Sequence, residues 1–127
     1  MPSAEPRRAL VLFAHGARDP AWAAPVHALA RAVEQRAPDW TVRVAFLESL
    51  APALPTVLAE LDARCEAIAI LPVFWAAAGH VRNELPALIA SAPACAGRVR
   101  VLPVLSELPG LVDFVAAGAV ALAARSD

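Results

Sequence analysis

Short apolar runs rich in β-branched residues alternate in this chain with longer stretches of helical period, and this alternation restricts the fold more than any other feature. Four runs are predicted strands, at residues 9–14, 41–46, 67–71 and 98–102. The first, ALVLFA, is apolar throughout, which is typical of a strand covered on both faces. The pattern therefore predicts a sheet inside the molecule.

The first helical stretch has one apolar face, formed by Trp22, Val26, Leu29 and Val33. Its starting point has two possible positions. If Asp19 caps the helix, Pro25 lies too deep and kinks it; otherwise the regular helix begins later in the chain.

Three more helices follow the later strands. The second is predicted over residues 54–61, with Pro52 and Pro55 in its first turn. The third has Pro86 near its start, and the fourth spans residues 111–122. This β-α order predicts an α/β fold: an open, mostly parallel four-stranded sheet with helices on both faces, in a flavodoxin-like sandwich. We predict the strand order 2-1-3-4.

Length and charge exclude several classes of protein. The 127 residues suit one domain, residues 1–127, and a net charge of −1 argues against nucleic-acid binding. Residues 108–124 are apolar apart from Asp113, but they are too few for a membrane span. We expect them to form a helix buried in the fold or in a subunit contact. With no signal-peptide pattern at the start, we expect a cytoplasmic protein without a membrane partner.

Polar residues follow the ends of three predicted strands. His15 follows the first, Glu48 the second, and His80 lies in the longer loop after the third. Ligands of open α/β sheets bind beyond the carboxyl ends of the strands, so His15 and His80 should face each other if strands one and three are neighbours. Each residue also has a simpler interpretation: a histidine can satisfy a loop carbonyl, and Glu48 can favour a helix N-terminus.

Motifs for other chemistries are missing from the sequence. It contains no P-loop, no dinucleotide-binding glycine motif, no nucleophile elbow and no HExxH helix, so no ATP site or organic cofactor is predicted. Two imidazoles with one carboxylate suit Co, Fe, Ni or Zn better than Mg or Ca. Two histidine ligands would also leave coordination positions open for a second molecule.

Three segments together resemble the small single-domain class II chelatases, the sirohydrochlorin cobaltochelatases and ferrochelatases. These segments are AHGARDP at residues 14–20, FLE at 46–48 and PVFWAAAGHV at 72–81. That family reads roughly HGSRDP, FLE and PxFLxxGxHVxxDIP. The chain departs from it at Ala17, at Trp75 and at residues 84–86 (ELP).

The resemblance implies a chelatase-like fold and a role for each matching residue. His15 resembles the metal ligand and proton acceptor, and His80 resembles the second metal ligand. Glu48 resembles a catalytic and substrate-side carboxylate. The loop against the macrocycle would consist of Trp75, Ala76, Ala77, Ala78, Gly79 and His80.

The predicted activity is that of a lyase of cobalamin or siroheme biosynthesis. It would insert a divalent metal, Co²⁺ with Fe²⁺ or Ni²⁺ as alternatives, into sirohydrochlorin or a related tetrapyrrole. Arg18 and Arg82 are candidate partners for the substrate's carboxylates, because guanidinium groups bind carboxylates through two hydrogen bonds. Whether His15 or Glu48 takes the pyrrole protons stays open at this stage.

Two other classes of function also fit the residues. One is a carrier that holds a metal or tetrapyrrole without transferring it, and the other is a structural flavodoxin-like domain with incidental histidines. A domain this small offers one wall to a tetrapyrrole, and the apolar residues of the fourth helix are too widely spread for one core-facing stripe. We therefore expect a homodimer.

Overall fold

The computed structural model describes residues 7–76, 79–91 and 97–125, with the backbone alone at residues 79–81. Within them, the strands are β1 (Arg8–Ala14), β2 (Thr41–Phe46), β3 (Ala67–Pro72) and β4 (Val99–Val101). The α-helices are α1 (Ala24–Arg36), α2 (Leu54–Asp62), α3 (Gly79–Ala90) and α4 (Leu111–Ala123). Two short 3-10 helices, Pro20–Ala23 and Leu105–Glu107, precede α1 and α4.

The four strands form one parallel sheet in the order β2-β1-β3-β4. The predicted α/β class and strand order are confirmed. Within the sheet, β2 lies next to β1 in one direction, and β4 lies next to β3 in the opposite direction. The chain therefore turns in opposite directions after β1 and after β3. The loops that follow β1 and β3 therefore diverge from neighbouring strand ends, which is the position where such sheets bind ligands.

Side chains of β1 alternate between two apolar layers. Val11 and Phe13 pack in one layer with α2 and α3, whereas Leu10 and Leu12 pack in the other with α1. Val11, Leu12 and Phe13 are each 0% exposed, so each contributes roughly 1.5–3 kcal/mol through burial. The predicted strand covered on both faces is confirmed, and His15 follows directly after this buried strand.

The chain between β1 and α1 makes a separate 3-10 turn. Asp19 caps this turn, since its Oδ1 accepts a hydrogen bond from the Ala21 amide at 2.9 Å. Regular helix begins only at Ala24, so Pro25 lies in the first turn of α1, as the later of the two predicted starting points requires. Trp22 precedes α1 and is 74% exposed, so its prediction as part of the apolar face was wrong.

Two predicted proline positions were also wrong. The prediction placed Pro52 in the first turn of α2, but the helix begins at Leu54 and includes only Pro55 there. Pro86 lies inside α3 and not near its start, because the helix already begins at Gly79. Proline has no N–H group, so the Arg82 carbonyl cannot receive its usual helical hydrogen bond.

Helix α4 packs differently from the other helices. Its 13 residues include no buried residue, so the prediction that this segment is buried in the fold was wrong. The alternative, a subunit contact, stays a prediction. No helix in the described part of the chain combines the length and the apolar character that a membrane crossing needs.

An ion-pair network joins α2 to β2. Arg43 donates to Glu60 through Nη2 at 3.0 Å and through Nε at 3.2 Å, and Arg64 Nη1 lies 3.2 Å from the same carboxylate. The hydrogen bond from Arg43, followed by the charges of Arg43 and Arg64, lowers the pKa of Glu60. A lowered pKa in the folded state stabilises the fold above the unfolded pKa, and this contribution is lost as the pH falls.

We expect Glu60→Gln to lower the free energy of unfolding by about 0.5 kcal/mol at neutral pH, a small effect because exposed ion pairs are screened by solvent. In acid the wild-type carboxylate is protonated, so the difference between the two proteins should vanish. Urea unfolding at neutral pH and in acid measures both values. An equal difference under the two conditions would mean that charge is not the cause.

Candidate active site at the carboxyl edge of the sheet

Hydrogen bonds continue past the ends of β1 and β2 and place His15 beside Glu48. The Leu47 amide donates to the Ala14 carbonyl at 2.9 Å, and the Glu48 amide donates to the His15 carbonyl at 3.1 Å. The Leu50 amide then donates to the Glu48 carbonyl at 2.8 Å, closing a tight turn in which Ser49 has a φ of 70°. Glu48 is therefore held by strand pairing and not by a helix end, so the interpretation as a helix N-terminal carboxylate was wrong.

Gly16 is required for this close approach. Its φ is 95°, and a Cβ atom at this position would lie 1.9 Å from the Glu48 carbonyl oxygen. No side chain fits into that space, and a positive φ disfavours every residue except glycine. The glycine after His15 thus allows the first two strand ends to meet.

The two side chains form an exposed pair. His15 Nε2 lies 3.6 Å from Glu48 Oε1, and the side chains are 46% and 62% exposed. This distance is too long for a good hydrogen bond, but an imidazolium and a carboxylate attract each other at this range. The pair can therefore offer two donor atoms to a metal ion.

The segment after β3 packs against His15 from the other side. The Phe74 ring lies 6.5 Å from the His15 ring and 5.9 Å from the Phe13 ring, edge to face in both cases. Phe74 and Trp75 accept backbone hydrogen bonds from Leu105 and Ser106, so this segment is joined to the one after β4. Trp75 remains 54% exposed, and Ala76 is exposed beside it.

Further along, the backbone places Gly79 and His80 in the first turn of α3. Because α3 follows β3, this turn lies at the carboxyl edge, and β3 is the neighbour of β1 as the prediction required. Ala77 and Ala78, predicted to line the macrocycle, lie outside the described residues.

The structure puts the two candidate arginines in different places. Arg18 is exposed in the segment after His15. Arg82 is exposed on α3 and borders a groove between α3 and β4 rather than the small cavity beside His15. The sequence predicted both arginines near this edge, because each lies within three residues of a histidine. That spacing could not show that Arg82 borders a different groove from the cavity beside His15.

Trp22 is a candidate site residue that the sequence analysis missed. With His15, Gly16 and Phe46 it lines a cavity of about 150 Å³, and its ring is largely exposed to solvent. The sequence signal for this position was the pair Asp19-Pro20. Asp19 caps a separate 3-10 turn that Pro20 begins, so Trp22 belongs to that turn and not to the apolar face of α1.

Among the described residues, no three His, Cys, Asp or Glu side chains converge as a metal cage would require. His15 and Glu48 supply two potential donor atoms, 3.6 Å apart.

Comparison with known proteins agrees with this fold. A family model described as CbiX matches residues 9–120. The sirohydrochlorin cobaltochelatase of Methanococcoides burtonii is 26% identical over 81 residues, a match that spans 63% of this chain and only 62% of that relative.

Two solved structures share the fold. One is a protein from Marinobacter aquaeolei VT8 named for CbiX and cobalamin (vitamin B12) biosynthesis; it is 25% identical with a TM-score of 0.79, and the match covers 94% of this chain and 99% of that one. The other is the sirohydrochlorin chelatase SirB from Bacillus subtilis subspecies spizizenii in complex with cobalt. It is 21% identical with a TM-score of 0.64, and the match covers 76% of this chain and 43% of SirB. Because the family model covers nearly the whole sequence, this chain belongs to the CbiX family.

Proposed function

We propose that this chain is a chelatase that inserts a divalent metal into sirohydrochlorin or a related tetrapyrrole. The observation that carries the proposal is the His15–Glu48 pair, 3.6 Å apart at the carboxyl edge of the sheet, where β3 leads into the helix that bears His80. The name of the Methanococcoides relative and the cobalt complex of SirB support cobalt as the metal, with iron or nickel as alternatives.

The reaction releases two protons for each metal ion: the pyrrole N–H groups lose their protons, and their nitrogens bind M²⁺. Histidine suits this exchange, because an imidazole can bind the metal or accept a proton near neutral pH. We propose that His15 takes part in both steps, with Glu48 stabilising the imidazolium that forms. Since both side chains are exposed, the proton can then pass to water.

The surface around His15 suits a flat, acidic ligand. Trp22 and Trp75 present exposed aromatic faces on two different segments of the edge. We propose that Arg18, exposed in the segment after His15, attracts a carboxylate at the rim of the tetrapyrrole, since an arginine binds a carboxylate through two hydrogen bonds. Arg82 borders the α3–β4 groove instead. The ring system would stack on the aromatic side chains while its pyrrole nitrogens approach His15.

Metal specificity is tested by absorbance under anaerobic conditions. Purified protein is mixed with excess sirohydrochlorin and limiting Co²⁺, Fe²⁺ or Ni²⁺ in separate reactions, and the rate of the spectral change is compared with the uncatalysed rate. We expect acceleration with at least one metal, with Co²⁺ fastest. If no metal reacts faster with the protein than without it, the proposed activity is wrong.

We expect Glu48→Gln to keep the fold and to slow metal insertion by about tenfold, because the amide keeps the shape but cannot stabilise an imidazolium. Initial rates of absorbance change at saturating metal measure this effect. Glu66→Gln is the matched control, since Glu66 lies exposed at the opposite edge of the sheet, just before β3. Wild-type activity in Glu48→Gln would remove Glu48 from the mechanism.

The second metal ligand is tested by His80→Ala. We expect a severe loss at limiting metal, because one of two proposed imidazole ligands is removed, and partial recovery when the metal concentration is raised. Rates measured over a series of metal concentrations separate a higher KM for the metal from a lower kcat. A loss that no metal concentration relieves would exclude a role in metal delivery.

We propose further that residues 1–127 act as one chelatase domain in the cytoplasm, paired as a homodimer. The cavity of about 150 Å³ beside His15 is smaller than the roughly 300–1,000 Å³ that enclose typical small-molecule ligands. A tetrapyrrole bound there would need a second wall, which another copy could supply.

A further inference from the structure

Phe74 lies between the buried core of the sheet and the exposed ring of His15. The centroid of its ring is 5.9 Å from that of Phe13 and 6.5 Å from that of His15, and the ring planes meet at 69° and 90°. Both distances fall in the range over which aromatic rings attract each other edge to face. The rings of Phe13, Phe74 and His15 therefore form a series of contacts that leads from the core to the site.

The inner end of this series is fixed in place. Phe13 is 0% exposed, and Phe74 is half-buried and packs against the apolar layer that Phe13 shares with α2 and α3. The backbone is held as well, since the Val73 amide donates to the Phe13 carbonyl at 2.8 Å and the Leu105 amide donates to the Phe74 carbonyl at 2.9 Å. The Phe74 ring thus has little room to move, and it can act as a fixed wall beside His15.

The outer end of the series needs such a wall. The His15 side chain is 46% exposed, and exposed side chains change rotamer within picoseconds to nanoseconds unless contacts prevent it. Its Nδ1 lies 3.4 Å from the Gly16 carbonyl oxygen, and its Nε2 lies 3.6 Å from Glu48 Oε1. Both distances are long for a hydrogen bond, so these two contacts constrain the ring only weakly. Packing against Phe74 constrains it sterically, whatever the charge of the imidazole.

We propose that Phe74 is a positioning residue for metal insertion, because its ring holds the His15 imidazole in the rotamer that turns Nε2 toward Glu48. This inference rests on the proposed function. A group that binds a metal and accepts protons must meet the substrate in one geometry, and a misplacement of about 1 Å can cost on the order of a hundredfold in rate. Phe74 acts through His15, so it need not touch the metal or the tetrapyrrole.

The kinetic experiment compares Phe74→Leu with Leu88→Ala. Both changes remove apolar atoms that pack against the same layer, but Leu88 lies on α3 about two turns after His80, where the helix has run back from the carboxyl edge. At saturating metal, Phe74→Leu should lower kcat by about tenfold and leave the KM for sirohydrochlorin within about twofold of the wild type, since orientation and not binding is lost. Leu88→Ala should keep the wild-type kcat even though its melting temperature falls. Unchanged kcat in Phe74→Leu, or an equal loss in both variants, would overturn the proposal.

The second experiment observes the His15 ring without metal or substrate. In isotope-labelled protein, the three-bond couplings from Cγ of His15 to its own backbone nitrogen and carbonyl carbon report the χ1 rotamer. The wild type and Leu88→Ala should show the couplings of a single rotamer, whereas Phe74→Leu should show averaged values. A single rotamer in Phe74→Leu, or averaging already present in the wild type, would overturn the proposal.

Two further points keep these experiments decisive. Circular dichroism checks the fold of each variant, and if Phe74→Leu does not fold, Phe74→Met takes its place in both experiments, because it fills the half-buried position with a flexible side chain. A wild type that inserts no metal would contradict the proposed function. The couplings need no catalysis, so they separately decide whether Phe74 holds the His15 ring.

Discussion

Replacing His15 with alanine should lower the rate of metal insertion by roughly a thousandfold, because a lost general base alone costs on the order of 10²–10⁴ and a metal ligand is lost with it. The fold should survive. His15 follows β1 as an exposed loop residue, and the core layers of β1 end before it. Initial rates of sirohydrochlorin metallation at saturating metal, measured beside a thermal unfolding curve, test both parts of this prediction.

His27→Ala is the matched control for that experiment. His27 is exposed in the first turn of α1, and its ring contacts Phe46 rather than Glu48. We expect wild-type rates from this variant, which shows that losing a histidine as such is harmless. If His15→Ala keeps its activity, or if it unfolds, then the assignment of His15 as an exposed catalytic residue is wrong.

The second large effect is expected from Gly16→Ala, which should destabilise the fold by about 3 kcal/mol, since strained left-handed backbone and a severe clash combine. The added methyl group would lie 1.9 Å from the Glu48 carbonyl oxygen, so the ends of β1 and β2 must separate. The melting temperature should fall by roughly 10 °C for a chain of this size. Metal insertion should also be lost, because the His15–Glu48 pair depends on that contact.

Gly97→Ala separates this clash from the general effect of changing a glycine. A methyl group added at Gly97 would meet no atom of the described residues within 4 Å, so the melting temperature of Gly97→Ala should stay close to that of the wild type. If Gly16→Ala melts like Gly97→Ala, the close contact between the two loops does not hold the site together.

The sheet could be predicted from the sequence because its signals are local and strong. The run from Leu10 to Phe13 is apolar without interruption, and strand burial on both faces is the usual reason for such a run. The positions of His15 and Glu48 followed from the same argument, since His15 comes directly after β1 and Glu48 is the second residue after β2. Parallel strands bring such residues to one edge whatever the details of the loops.

Other features could not be predicted, because they depend on turns and on distant packing. Trp22 has the spacing of a core residue, but the turn capped by Asp19 rotates it out of α1 and exposes it beside His15. Pro86 was expected near a helix start, yet α3 begins early enough to enclose it. The exposure of α4 is a tertiary property, which hydropathy alone cannot distinguish from burial in a core.

The stoichiometry of the reaction tests the central proposal most directly. Protein is mixed with a large excess of sirohydrochlorin and Co²⁺ in weak buffer, and absorbance reports metallated product while a pH indicator reports released protons. A chelatase that takes both pyrrole protons should form many equivalents of product per chain and release two protons for each metal inserted. Product formation that stops at one equivalent per chain would instead identify a carrier and contradict the proposed catalysis.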